Sequence, residues 1–120
     1  EAKALSAQIA DAAARGAQLI FTPEMSGLLD RDRARAAAHV RHEADDPVLA
    51  AVRDAAARAG AWVHLGSLAL KGAAEKFVNR GFLIAPDGSI AARYAKIHLF
   101  DVALGSESWR ESAAYEAGEE

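Results

Sequence analysis

Three charged side chains lie at the ends of predicted strands or loops and are suited to chemistry. Lys96 lies in the segment YAKIHLFD, directly after a predicted strand and between apolar residues. Glu24 ends the apolar segment LIFTPE, and Glu111 lies much later in SWRES. Because a desolvated ammonium needs carboxylates beside it, we predict that the three side chains form one polar site on an apolar scaffold.

A fixed lysine cation of this kind can stabilise the oxyanion that develops during acyl transfer. Two alternatives need no chemistry: Lys96 can extend its ammonium into solvent, and Glu24 can be a helix cap or a surface residue. His98 lies on the same face as Lys96 if the segment stays extended, and we interpret it as a structural hydrogen-bonding residue, with a role as base left open. Asp101 is interpreted as a loop anchor.

The elements ahead of Glu24 follow the order of a layered α/β domain. Gly16 can end a first helix in the left-handed conformation, and the apolar run 17–21 predicts a strand buried on both faces. Pro23 keeps Thr22 extended, so Glu24 comes just beyond the carboxyl end of that strand, where open α/β sheets bind ligands. The inner stripe of the first helix consists of Leu5, Ile9, Ala12 and Ala13.

An Ala- and Arg-rich helix is predicted over 30–43, with Asp30 or Asp32 as its cap. His39 and His42 lie three residues apart on one face of it, which suits a metal ligand pair. No further ligand stands at a recognisable spacing, so we interpret this face as solvated and predict no metal site.

Asp46 and Pro47 predict the start of another helix, because Asp is a good cap and Pro suits the first helical position. Gly60 ends this helix, and the nearly continuous apolar run 61–70 predicts a strand covered on both faces. His64 within that run is interpreted as a hydrogen-bonded core histidine. The inner stripe of the helix consists of Val48, Val52, Ala55 and Ala59.

A β-hairpin is predicted from 77–85 and 89–94, after a loop over 71–76. The turn at 86–88 has the sequence PDG, in which proline presets φ and glycine accepts a positive φ. The second strand of this hairpin leads directly to Lys96.

Composition excludes several classes of protein. The 120 residues carry a net charge of −3 without a basic cluster, so no nucleic-acid partner is expected. No apolar run is long enough to cross a membrane, there is no signal peptide, and zero cysteines allow no disulfide framework. We therefore expect a cytoplasmic protein. The chain opens within a helical pattern on Glu1, so we expect an internal piece of a longer domain, with a processed small protein as the alternative.

Four segments in order, LIFTPE, NRGFLIAPDG, YAKIHLFD and SESWRES, resemble the nitrilase or carbon–nitrogen hydrolase superfamily. The similarity is greatest to its ω-amidase and deaminated-glutathione amidase branch. This resemblance implies an α/β fold that is part of an α-β-β-α sandwich, incomplete at both ends. Residues 1–120 would be the N-terminal portion of one domain, without its first strand and its cysteine-bearing part.

The resemblance also implies a Glu-Lys-Cys mechanism. Glu24 matches the general base, Lys96 the lysine that stabilises the tetrahedral intermediate, and Glu111 the second glutamate that positions lysine and substrate. A cysteine would attack a small amide or nitrile and form a thioester, with no metal or organic cofactor. A homo-oligomer is also implied.

The chain contains no cysteine, so it lacks the family's nucleophile. We expect the parent protein to be an amidase and residues 1–120 alone to be inactive and poorly soluble. A non-catalytic sandwich domain used for binding or assembly is the alternative. A serine hydrolase using Ser67 or Ser108 is disfavoured because neither lies in a Gly-x-Ser-x-Gly motif. The sequence does not decide between an amidase and a nitrilase, and it does not identify the substrate.

Overall fold

Helices cover one face of a four-stranded sheet in the computed structural model, which describes residues 2–27, 33–72 and 76–119. None of the helices within these ranges is long and apolar enough to span a bilayer. Short 3-10 turns cover Glu43–Asp45 and Glu111–Ala113. In chain order the elements are α1 Ala2–Ala14, β1 Leu19–Phe21, α2 Arg33–Ala37, α3 Pro47–Ala59, β2 Trp62–Lys71, β3 Phe77–Ile84, β4 Ile90–Ala95, β5 Asp101–Leu104 and β6 Glu107–Arg110.

The main sheet has the strand order β1-β2-β3-β4. β1 runs parallel to β2, with Ile20 opposite Val63, and the other neighbours are antiparallel. The register of β2 against β3 shifts between Leu65 and Leu68, which marks a bulge in β2. β5 and β6 form a separate antiparallel hairpin.

The core lies between the sheet and the helices α1 and α3. Leu5 and Ile9 of α1 are buried there, as predicted from their helical spacing. The predicted inner stripe of α3 is also confirmed, because Val48, Val52 and Ala55 are buried. The strands contribute buried side chains that alternate along the backbone: Val63, Leu65, Leu68, Leu70, Phe82 and Ile84.

Predicted helix ends are confirmed where local chemistry decides them. The Leu49 N–H donates to Asp46 Oδ1 at 2.8 Å, so Asp46 caps α3. Gly60 closes α3 with a φ of 61°, and Gly16 follows α1 with a φ of 95°.

The prediction that 17–21 is buried on both faces is wrong. β1 covers only Leu19–Phe21, and its two end residues are 49% and 68% exposed. Ile20 packs against the helix side, and no described segment covers the other face of β1. β2 is also covered less than predicted: Trp62 is 40% exposed, and burial becomes continuous only over 67–70, from the bulge onward.

The helix predicted over 30–43 is wrong in extent. Within 30–43, only Arg33–Ala37 is α-helical among the described residues, and the predicted caps Asp30 and Asp32 lie outside the described ranges. Val40 is buried, and Arg41 pairs with Leu70 of β2, its carbonyl accepting from the Lys71 N–H at 2.8 Å. Pairing with β2 therefore outweighs the helix propensity of this segment.

The hairpin of β3 and β4 is confirmed. Ala85 N–H donates to the Ser89 carbonyl at 2.9 Å, and Gly88 has a φ of 82°. The preceding loop is described only at its ends, since residues 73–75 lie outside the described ranges. The β5–β6 hairpin was not predicted; it turns at Gly105, whose φ is 61°.

Candidate functional site

Lys96 is the first residue after β4, and backbone hydrogen bonds hold it on both sides. Its N–H donates to the Asn79 carbonyl at 2.8 Å, and its carbonyl accepts from the Gly118 N–H at 2.9 Å. Lys96 Nζ lies 2.9 Å from Glu111 Oε2, and the two side chains are 28% and 16% exposed. The structure therefore brings together two of the three predicted site residues.

Glu111 begins a 3-10 turn and is held by more than the lysine. The Phe100 N–H donates to Glu111 Oε2 at 2.6 Å, while the Glu111 N–H donates to the Phe100 carbonyl at 3.1 Å. The Asn79 side chain also contributes to lowering the pKa of the Glu111 carboxylate. Backbone and carboxylate of Glu111 are thus both fixed.

The electrostatic environment keeps this carboxylate charged. Burial raises the pKa of Glu111, but hydrogen bonds from Phe100 and Lys96, the lysine charge and Asn79 together lower it below its ordinary value of 4.5. Glu111 is therefore an anion at neutral pH and provides a counter-charge beside Lys96.

The β5–β6 hairpin lies between Lys96 and Glu111 in sequence and is closed at its base. Asp101 Oδ1 accepts from the Ser112 N–H at 3.0 Å, and Asp101 Oδ2 accepts from the Ser112 hydroxyl at 2.5 Å. The same two hydrogen bonds are the main reason why the pKa of Asp101 is lowered. The closed base returns Glu111 to Phe100, so the interpretation of Asp101 as an anchor is confirmed.

Glu24 lies at the start of a turn over 24–27 that follows β1, and its side chain is exposed. Thr22 N–H donates to the His64 carbonyl at 2.9 Å, which extends the pairing of β1 and β2 up to the turn. Across residues 2–27, 33–72 and 76–119, neither a hydrogen bond nor an ion pair joins Glu24 to Lys96 or Glu111.

Tyr115 links the turn of Glu24 to Glu111. Its hydroxyl donates to Met25 Sδ at 3.9 Å, and its N–H donates to the Glu111 carbonyl at 2.9 Å. Its ring packs edge-on against Phe77, with centroids 5.8 Å apart. Burial, and to a smaller extent the charge of Glu111, raise the pKa of Tyr115 above 10.0. One half-buried side chain therefore lies between Met25 and Glu111.

Sequence reasoning missed Tyr115, Asn79 and the Phe100 N–H. Asn79 gives a readable signal, because it lies in a mainly apolar strand, is only 4% exposed and must find partners there. The Phe100 N–H gives none, since every residue except proline has a backbone donor.

The histidines and serines singled out from the sequence lie elsewhere. His98 is exposed, and His64 is half-buried against the Phe21 ring at 5.3 Å, so the expectation of a core histidine is wrong for His64. His39 and His42 are exposed and share no helix, and no group of three potential metal-ligating side chains occurs in the described ranges. Of the two serines, Ser67 is buried and Ser108 is exposed.

Comparison with known sequences points to one family. The profile described as carbon-nitrogen hydrolase matches residues 2–120. The deaminated glutathione amidase of Yersinia enterocolitica is 34% identical over 108 residues, which cover 87% of this chain and 37% of that protein. The probable hydrolase nit2 of Schizosaccharomyces pombe is 32% identical over 97 residues, which cover 80% of this chain and 35% of that protein. The chain thus spans little more than a third of the length of these relatives.

Solved structures agree on the fold. The NitFhit protein of C. elegans matches 98% of this chain and 29% of its own at a TM-score of 0.83 and 27% identity. An amidase from Nesterenkonia sp. matches 99% of this chain and 42% of its own at a TM-score of 0.77 and 26% identity. Variants of that amidase, which is of the nitrilase superfamily, carry acrylamide or the acetamide moiety of fluoroacetamide at the active-site cysteine. The predicted nitrilase-like α/β fold is confirmed.

Proposed function

The chain belongs to the carbon–nitrogen hydrolase family, and on that premise we propose that it forms the Glu- and Lys-bearing part of an amidase-type hydrolase acting on a small non-peptide amide. The observation that carries the proposal is the 2.9 Å pair between Lys96 and Glu111, two residues that the resemblance assigns to catalysis. The 34% identity to a deaminated glutathione amidase favours an amide over a nitrile substrate.

Lys96 would stabilise the oxyanion of the tetrahedral intermediate. An ammonium has three N–H donors, so one bond to Glu111 leaves two for a substrate oxygen. Because the Lys96 N–H donates to the Asn79 carbonyl and the Lys96 carbonyl accepts from the Gly118 N–H, the backbone is held on both sides, and the cation needs little reorganisation when charge develops on the substrate.

Glu111 would act as a positioning group. Its carboxylate accepts from the Phe100 N–H as well as from Lys96, so it presents a fixed anion to the lysine. The lowered pKa of Glu111 supports this role, because a protonated Glu111 would lose the charge that orients Lys96.

Glu24 would be the general base, and a cysteine beyond residue 120 would be the nucleophile. The thiol proton passes to the Glu24 carboxylate as sulfur attacks the carbonyl carbon of the amide. The carbon–nitrogen bond then breaks, the proton leaves with the amine as ammonia, and a thioester remains. Glu24 next takes a proton from water, whose oxygen attacks the thioester carbon. The carbon–sulfur bond then breaks, the proton passes from Glu24 to sulfur, and the carboxylic acid and the thiol are released. These steps need no metal and no organic cofactor.

The setting that we propose is a cytoplasmic homo-oligomer with a small-molecule substrate. The net charge is −3 and the sequence has no cluster of basic residues, so we propose no nucleic-acid partner.

The test uses the full-length protein that contains this chain. Ammonia release is measured with a panel of small dicarboxylate monoamides and their nitriles, for the wild type and for Glu24→Gln. The variant is expected to lose activity by at least about 100-fold, whereas the control Glu119→Gln, at another exposed carboxylate, keeps it. Incubation with fluoroacetamide should label a cysteine in an intact-mass measurement. Absence of both ammonia release and labelling would identify a non-catalytic domain instead.

A further inference from the structure

The residue directly after Glu24 has an unusual backbone conformation. Met25 has a φ of 53°, and in the described part of the chain every other residue with a positive φ is a glycine. An unbranched side chain in the left-handed region costs about 1 kcal/mol or more, so neighbouring contacts must hold it there. Met25 fixes the direction in which the chain leaves Glu24.

Ser67 provides that hold. Its side chain is 3% exposed, and its hydroxyl oxygen accepts from the Met25 N–H at 2.9 Å. Its carbonyl accepts from the Ser26 N–H at 3.0 Å. One residue of β2 therefore binds two successive N–H groups of the turn that contains Glu24. Ser67 lies within the bulge between Leu65 and Leu68, which breaks the pairing of β2 with β3 at this point.

The residue before Ser67 lets the turn approach. Gly66 N–H donates to Thr22 Oγ1 at 3.1 Å, and a Cβ at Gly66 would overlap the carbonyl oxygens of Thr22 and Pro23. Thr22 Oγ1 in turn lies 2.9 Å from the Ser26 hydroxyl. Glycine followed by serine therefore fits this strand to the turn: the first allows contact and the second binds it.

We propose that Ser67 is a positioning residue for Glu24. It does not touch the reacting atoms; it holds the Met25 N–H and so fixes the turn that sets the place of the Glu24 carboxylate. This inference rests on the proposed function, in which Glu24 is the general base. It gives a role to the Gly-Ser pair in β2, which lacks the motif of a serine nucleophile.

The experiment compares Ser67→Ala with wild type in the full-length protein. Loss of the hydroxyl removes the acceptor for the Met25 N–H, so kcat should fall by at least about 10-fold while KM stays within about 2-fold. Ser89→Ala is the matched control, because it removes a hydroxyl that bonds Asp87 in the exposed β3–β4 turn. Its kcat should match the wild type.

Two further readouts separate positioning from a general structural effect. Hydrogen exchange followed by mass spectrometry should show faster exchange in the peptide spanning the Met25 amide in Ser67→Ala and not in Ser89→Ala. Ser67→Ala should lower kcat much less in a Met25→Gly background than in the wild type, because glycine adopts a positive φ without the steric cost.

The outcomes distinguish this inference from the function beneath it. If Glu24→Gln is inactive but Ser67→Ala keeps full kcat, the positioning role is overturned and the proposed function stands. Unchanged exchange at Met25 in Ser67→Ala also overturns the positioning role. If Glu24→Gln remains fully active, the proposed function fails, and Ser67 has no base to position.

Discussion

Lys96 Nζ and Glu111 Oε2 lie 2.9 Å apart, although the two residues are separated by 15 positions in the chain. The β5–β6 hairpin accounts for this approach, because its strands pair from Asp101 opposite Arg110 to Leu104 opposite Glu107. A closed hairpin brings its two flanks together, so Lys96 and Glu111 meet at its base. The ion pair is therefore a product of the hairpin as much as of the charges.

Replacement of Lys96 by alanine tests the role of the cation. We expect kcat/KM for amide hydrolysis by the full-length protein to fall by at least about 100-fold, since a fixed charge at the oxyanion is lost. Lys71→Ala is the control, because Lys71 is also a lysine at a strand end and its side chain is exposed. Activity of Lys96→Ala equal to that of Lys71→Ala would refute the assigned role.

The lowered pKa of Glu111 predicts a pH-dependent contribution to stability. A carboxyl whose folded-state pKa lies below its unfolded value of 4.5 stabilises the fold fully above that pH. The contribution disappears as the pH falls through the folded-state pKa, because the protonated group resembles glutamine.

We therefore expect Glu111→Gln to be less stable than wild type at neutral pH, and the two to converge in acid. Denaturant unfolding of the full-length protein between about pH 7 and pH 3 measures the difference in free energy of unfolding. A difference that stays constant over this range would contradict the ion pair and the Phe100 hydrogen bond as its source.

Features decided by neighbouring residues could be predicted from the sequence. Asp46 and Pro47 start α3, Gly60 ends it, and the PDG turn at 86–88 joins β3 to β4. Each depends on the conformational range of one or two residues, so no distant contact was needed. Lys96 was placed correctly for the same reason, since it follows the second strand of that hairpin.

Features decided by distant partners could not be predicted. Arg41 leaves the helical pattern because it pairs with Leu70 of β2, nearly thirty residues later. β1 looked fully buried because its residues are apolar, yet burial of Phe21 depends on a covering layer rather than on its own sequence. At the site, the Phe100 N–H and Tyr115 depend on the folded path of 100–115, which no local pattern encodes.

The cap of α3 gives a prediction that is independent of function. Asp46 is 8% exposed, and its carboxylate accepts from the Leu49 N–H at 2.8 Å. Asp46→Ala should lower the free energy of unfolding by about 1–2 kcal/mol, whereas Asp46→Asn, which keeps a capping oxygen, should cost less than about 0.5 kcal/mol. Denaturant titration measures both. Equal losses for the two variants would show that the cap is not the cause.

The face of the sheet away from the helices predicts the behaviour of residues 1–120 expressed alone. Because Ile20 packs against the core, its neighbours Leu19 and Phe21 face the other side, where Trp62 pairs with Leu19. Tyr94, opposite Gly81, lies on the same side and is 59% exposed. We expect this apolar surface to cause self-association and low solubility.

Phe21→Lys tests that expectation, because Phe21 is 68% exposed and lies on the apolar face. A charge there should raise the soluble fraction of residues 1–120 and shift sedimentation towards the monomer. Phe100→Lys is the matched control: Phe100 is 63% exposed but lies after β4, outside the sheet, so the same change should have little effect. A wild-type chain that is monomeric and melts cooperatively would contradict the prediction, because the exposed face would then cause no association.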